Sequence, residues 1–197
     1  CKLACENTVG VAMPCQSSRN FGEDMEDALA VAEQFHIETL TVDLSDVKAA
    51  LCSQIEPVQP LDQASLSNIA PRLRMTTLYA IAQSRGALVA GTGNKCERYM
   101  GYFTKWGDGA CDFNPIADLT VTEIYEFLTY LKAPENIIRK APSAGLFEGQ
   151  TDEAEMGVTY DEIEMYMETG SCGSDNDARI HRAHAVTEHK RRMPLVY

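Results

Sequence analysis

Apolar and polar positions along the chain fall into short blocks that switch period. TVGVAMP (8–14) is an apolar, β-branched run bounded by Asn7 and Pro14, and it reads as a strand. FGEDMEDALAVAEQFH (21–36) sets Met25, Ala28, Leu29, Val31 and Ala32 near helical spacing, with acids in its first turn. IETLTVDL (37–44) alternates as a second strand does. Ser45 is placed to cap a helix over 46–55, a further helix is expected over 65–85 with Gly86 as its stop, and ALVAG (87–91) reads as a short buried strand. Strand, helix, strand, helix, helix, strand predicts an α/β fold with a parallel sheet. Ligands of such sheets bind beyond the carboxyl ends of the strands. That directs attention to MPCQSS (13–18), DLS (43–45) and GTGNKCE (91–97).

The second half is helical. Thr120-Val121-Thr122-Glu123 is a capping-box pattern for a helix reaching about Lys132. Pro134 opens a short helix, and 159–170 forms another that stops at Gly170. SCGSDND (171–177) is a polar linker before a last helix over 178–189. CKLACE (1–6) resembles the end of a helix, and the chain opens on Cys1, so it is expected to begin after its natural start.

Composition narrows the classes. A 45% hydrophobic content suits one domain with a sizeable core. No apolar run approaches the ~20 residues that cross a bilayer, and no signal peptide is visible. Seven cysteines without a CxxC pair point to buried thiols in a reducing compartment, and the four histidines do not cluster with them at zinc spacing. The net charge of −12 argues against a nucleic-acid or anionic-membrane surface. An anion would need a local basic cluster or oriented backbone amides. HKRR (189–192) is the one dense basic cluster, although it equally suits cations complementing a helix C-terminus.

GTGNKC (91–96) starts as GxGxxG does, but Cys96 stands where the last glycine belongs, and no Walker A motif is present. Glu97 follows on the first helical turn. It can cap that helix, or reach a Mg²⁺ that bridges phosphates. GYFTKWGDGACDFNPI (101–116) crowds glycines, aromatics, Lys105, Asp108 and Asp112 into one loop. A surface loop is the plain reading. Its aromatics and its glycines, which let backbone approach a ligand, favour a nucleotide instead: rings for a base, lysine for phosphate, aspartate for sugar or amide. KAPSAGLFEGQTDEAEMG (140–157) is either a solvated acidic loop or a lid.

These segments together resemble the NAD synthetases, most closely their ammonia-dependent branch, from about residue 8 to the end. The resemblance implies an ATP pyrophosphatase with an adenine-nucleotide α-hydrolase-like, Rossmann-like fold: a three-layer parallel sheet with helices on both faces. It implies that ATP adenylates the nicotinate carboxylate of deamido-NAD, that pyrophosphate leaves, and that ammonia attacks the acyl adenylate to give NAD and AMP. Adenylation removes the charge that makes a carboxylate a poor electrophile. By motif, Met13, Thr92 and Ser143 are expected to contact ATP, and Glu97 to bind Mg²⁺. Arg72, Lys105, Asp112, His189 and Lys190 are expected to contact deamido-NAD.

Two departures stand out. The family's SGGxDS pyrophosphate loop is absent and belongs upstream of Cys1, so residues 1–197 are expected to be a single synthetase domain lacking that segment. Val121 stands where the family usually has an ATP-contacting lysine. A cytoplasmic homodimer is implied. Alternatives are the synthetase domain of a glutamine-dependent enzyme, another ATP pyrophosphatase such as a GMP synthetase or a tRNA-thiolating enzyme, and a non-catalytic nucleotide-binding relative.

Overall fold

The computed structural model describes residues 1–15, 21–146 and 149–196. Among these the sheet has two strands, β1 (Val9–Ala12) and β2 (Glu38–Thr41), paired in parallel from Val9 opposite Glu38 to Ala12 opposite Thr41. Helix α1 (Glu23–Gln34) makes the crossover and carries Glu23, Asp24 and Glu26 in its first turn, where the helix dipole favours acids. The result is α/β with a parallel sheet.

Helix α2 (Ser45–Ile55) begins one residue before its expected start, and Ser45 does not cap it. Asp43 instead accepts the Ser45 N–H at 2.8 Å. The long helix α3 (Gln63–Arg85) is set by local chemistry at both ends: Asp62 accepts the Ser65 N–H at 2.7 Å, and Gly86 exits at φ 63°. The expected strand at 87–91 is reduced to one parallel bridge, Ala90 with Phe113. The Asp112 side chain takes the Val89 N–H at 2.7 Å, and the Asp112 N–H bonds the Val89 carbonyl at 2.9 Å. The segment therefore pairs with 112–113 instead of entering a ladder with β1.

Six shorter helices and a turn of helix follow: α4 (Lys95–Met100), α5 (Val121–Tyr130), α6 (Glu135–Ile138), α7 (Asp152–Met156), α8 (Tyr160–Thr169), α9 (Asp177–Val186) and α10 (Glu188–Arg191). The capping box expected at Thr120/Glu123 forms, and the structure adds a second at Thr159/Glu162. The last helix is broken at Thr187, whose hydroxyl bonds back to Ala183 O and across to Met100 O. Residues 1–6 hold a single turn, with the Cys5 N–H on Cys1 O.

The larger core joins α4, α5, α8 and α9 through Cys96, Met100, Val121, Val158, Tyr160, Ile163 and Ile180. Val121, at the expected lysine position, is a core residue. A smaller cluster of Cys15, Leu44 and Ala70 packs with Met13, Val42 and Leu73 under the carboxyl end of β1. No helix among the described residues is long and apolar enough to cross a membrane.

Candidate functional site

Helix α4 has only six residues, too few to stand alone. It is held by the core on one side and by its N-terminal turn on the other. Asn94 accepts the Glu97 N–H at 2.8 Å, and Glu97 Oε2 accepts the Asn94 N–H at 2.7 Å, a complete capping box. The turn before it is pressed onto 111–114: the Gly91 N–H meets Phe113 O at 2.7 Å, and a Cβ on Gly91 would lie 2.7 Å from Cys111 Sγ. Thr92 is exposed on this turn. Cys96 points into the core with no exposure, so the GTGNKC segment is a helix start and not a glycine fingerprint.

The Glu97 carboxyl is pushed up to about 7, chiefly by burial, with the negative charges of Asp152 and Asp108 adding to the effect and the Asn94 N–H opposing it. A carboxyl held among other acids is a poor place for a lone anion and a good one for a cation. Among the described residues no three His, Cys, Asp or Glu side chains converge as a metal cage. The donor set thus fits a Mg²⁺ that takes one protein carboxylate and fills its shell from phosphate and water.

The crowded loop lies along one face of α3. Thr104 Oγ1 donates to Asn68 Oδ1 at 2.6 Å, Arg72 Nη2 donates to Lys105 O at 3.4 Å, and the Tyr79 hydroxyl donates to Asp112 Oδ1 at 3.4 Å. Positions 68, 72 and 79 share a helix face. The glycines serve this packing more than a ligand. A Cβ on Gly107 would come 2.9 Å from Pro71 Cβ, and one on Gly109 would come 2.4 Å from the Phe103 ring. Asp108 is exposed as a residue, but its carboxyl turns inward to accept the Thr104 N–H at 3.0 Å, and burial raises it. Trp106 is 50% exposed at φ 61°, a left-handed conformation that is costly for a bulky residue. Lys105 Nζ lies 5.4 Å from the centre of its ring.

The C-terminal segment closes on this loop. Lys105 Nζ donates to His189 O at 2.6 Å, and Lys190 Nζ donates to Gly101 O and Phe103 O at 2.7 Å each. Burial lowers the Lys190 ammonium, with Asp108 opposing the shift. Gly101 sits at φ 68°, and a Cβ there would lie 2.2 Å from Thr187. Gly101→Ala is expected to cost about 2–4 kcal/mol from left-handed strain plus overpacking, read as a lower urea midpoint.

The acidic stretch after Lys140 is an inner network as much as a solvated loop. Asp152, 2% exposed, accepts the Ala144 N–H at 3.1 Å and the Tyr160 hydroxyl at 2.8 Å, and its own N–H bonds Pro142 O at 3.1 Å. Glu155 Oε2 accepts from the Tyr102 hydroxyl and from Gln150. Ser143 Oγ accepts the Gly145 N–H at 3.1 Å. Lys140 ties the entrance of this loop to α1 through Asp24 and Asp27. Phe147 and Glu148 lie outside the described residues.

The structure therefore gathers Arg72, Lys105, His189 and Lys190 at one loop, with Asp112 further along the same face of α3. Met13 directly follows β1, and its carbonyl accepts from Arg74 Nε at 3.1 Å. Residues 16–18 of the strand-end segment lie outside the described residues. Met13, Thr92 and Ser143 sit on three separate segments, and the hydrogen bonds described here do not join them. Reading the sequence missed Asp152, Tyr160, Gln150, Glu155 and Tyr102. The capping signal Thr151-Asp152 was present, but nothing local shows that Asp152 points inward.

The parallel α/β arrangement, with Arg72, Lys105 and Lys190 meeting at one glycine-rich loop, is the kind of fold found among nucleotide-handling proteins. The chain matches the NAD synthase family model over residues 1–194, and it belongs to the NAD synthase family. It is 47% identical over 193 residues to the NH(3)-dependent NAD(+) synthetase of Carboxydothermus hydrogenoformans, a match covering 97% of this chain and 78% of that relative. Among solved structures it is similar to NMN synthetase from Francisella tularensis, with 41% identity and a TM-score of 0.90 over 96% of this chain and 78% of the other. It is also similar to the NH3-dependent NAD synthetase from Campylobacter jejuni, solved with a nitrate ion, at 29% identity and a TM-score of 0.80 over 100% of this chain and 81% of the other.

Proposed function

We propose that this protein amidates deamido-NAD to NAD with ammonia, at the expense of ATP, through an adenylated intermediate that releases AMP and pyrophosphate. The observation that carries the reading is the meeting of Arg72, Lys105, His189 and Lys190 at one loop in a chain of this family and of this similarity to ammonia-dependent enzymes. In a chain of net charge −12, the three cations of this meeting, Arg72, Lys105 and Lys190, suit a dinucleotide acid. We assign Arg72, Lys105, Asp112, His189 and Lys190 to that substrate, and Met13, Thr92 and Ser143 to ATP. Glu97 is the residue that would hold Mg²⁺, which when bound offsets negative charge on the phosphates. The cations of the loop fix the substrate's phosphates and orient its carboxylate. The protein is read as cytoplasmic and homodimeric. Its fold is read as a three-layer adenine-nucleotide α-hydrolase-like arrangement.

A second reading concerns the substrate alone. The similarity to an NMN synthetase favours a mononucleotide acid amidated by the same chemistry. The experiment that tests both is an assay of the full-length protein with ATP and Mg²⁺, offering deamido-NAD or nicotinate mononucleotide, with ammonium or glutamine. NAD from deamido-NAD and ammonium, at a higher kcat/KM than the mononucleotide gives, is the expected result. A preference for the mononucleotide selects the second reading. Product with glutamine only would reject ammonia as the donor, and no product from any combination would reject the synthetase reading.

A further inference from the structure

We propose that Arg191 is a positioning residue for the substrate loop: it bolts the C-terminal segment to the last turn of α4 and so sets where Lys105 stands. Its Nη1 donates to Arg98 O and Tyr99 O, each at 3.2 Å, and to Thr187 Oγ1 at 2.9 Å, while Nη2 donates to His184 O. These oxygens belong to two segments about ninety positions apart in sequence.

The last carbonyls of a helix have no partner within it, and α4 is too short to hold its own end in place. Arg98 O already meets the Gly101 N–H at 3.3 Å and Tyr99 O meets His184 Nδ1 at 2.9 Å, and Arg191 adds a second donor at each, from the C-terminal segment. Lys190, its neighbour, takes Gly101 O and Phe103 O, the next carbonyls along. Lys105 answers from the loop by donating to His189 O. Residues 98–105 and 184–191 are thus laced together, with Arg191 at the helix end of the lacing. Stacking of His184 on Tyr99, with ring centroids 4.1 Å apart, and the fit of Gly101 against Thr187 keep the two segments in register. The Arg191 donors reach oxygens of both segments, the contacts through which a positioning residue acts. A planar fork with several fixed donors can span these acceptors; a lysine, with one compact ammonium on a flexible stem, cannot.

The proposal rests on reading the loop as the dinucleotide-acid site. Its test uses the full-length protein and the variants Arg191→Lys and Arg191→Ala. Trp106 is the one tryptophan of residues 1–197 and sits in this loop, so the emission removed by Trp106→Phe in each background reports loop position. Both variants are expected to raise KM for deamido-NAD about tenfold, the loss of roughly one net hydrogen bond's worth of fixing, with KM for ATP unchanged. Trp106 emission should shift in the same variants, and millimolar guanidinium should partly restore Arg191→Ala. Equal rises in both KM values, or unaltered Trp106 emission in the folded Arg191→Lys protein, would overturn the proposal. If Arg191→Ala does not fold, Arg191→Lys decides. Absence of product from the parent protein would count against the site reading alone, and the Trp106 comparison would still judge the positioning role.

Discussion

Glu97→Gln is expected to lower turnover about a hundredfold, a loss of about 3 kcal/mol of charge stabilisation, while the fold stays intact. The fold survives because glutamine serves the third helical position of a capping box as glutamate does, and can still accept the Asn94 N–H. The stability effect has a definite sign. In the metal-free protein the Glu97 carboxyl stands at about 7, above its ordinary 4.5. A raised carboxyl contributes stability that is full below the unfolded value and is lost as pH rises through the folded one. The neutral variant escapes that loss. Melting curves in chelator at pH 8 should therefore show Glu97→Gln at or above the parent, with the advantage gone near pH 4. Turnover near normal at saturating Mg²⁺ and ATP would refute the metal role. A variant less stable than the parent at pH 8 would make Glu97 a structural cap alone.

Lys105→Ala is the second large effect. A charge-assisted hydrogen bond contributes about 1.5–3 kcal/mol, so the deamido-NAD requirement should rise about tenfold to a hundredfold, with the ATP requirement moving far less. The structure adds a cost to the loop itself, because the Lys105 ammonium also holds His189 O. Steady-state titration of each substrate separates the two. Equal changes in both would reject the assignment to the dinucleotide acid.

Elements written in local code were legible in the sequence. Gly86 ends α3 and the Thr120/Glu123 capping box starts α5, because each signal lies within a few residues of the backbone group it satisfies. The 87–91 strand was misread because its competitor lies 23 residues away, in the Asp112 carboxylate that takes the Val89 N–H. The crowded loop could be recognised as unusual, but the packing of its glycines could not be read. Gly107 accommodates Pro71, and Gly109 accommodates Phe103, contacts that no spacing rule encodes. The acidic loop hid Asp152 for the same reason. A buried, satisfied carboxylate and a solvated one are identical letters until Tyr160 and the Ala144 amide are placed around it.

The lacing of the 101–116 loop to the C-terminal segment also sets an order on synthesis. Gly101 leaves the ribosome 89 residues ahead of Lys190, its partner. At ordinary elongation rates that interval lasts about 5–20 s. Throughout it the loop carries Phe103 and Trp106 without the cations that later pin it. The helices of the core can assemble as they emerge, but this loop is among the last parts to reach its final geometry. Ribosome-stalled chains ending before α10 are therefore the ones in which a protease or a chaperone would find this loop accessible.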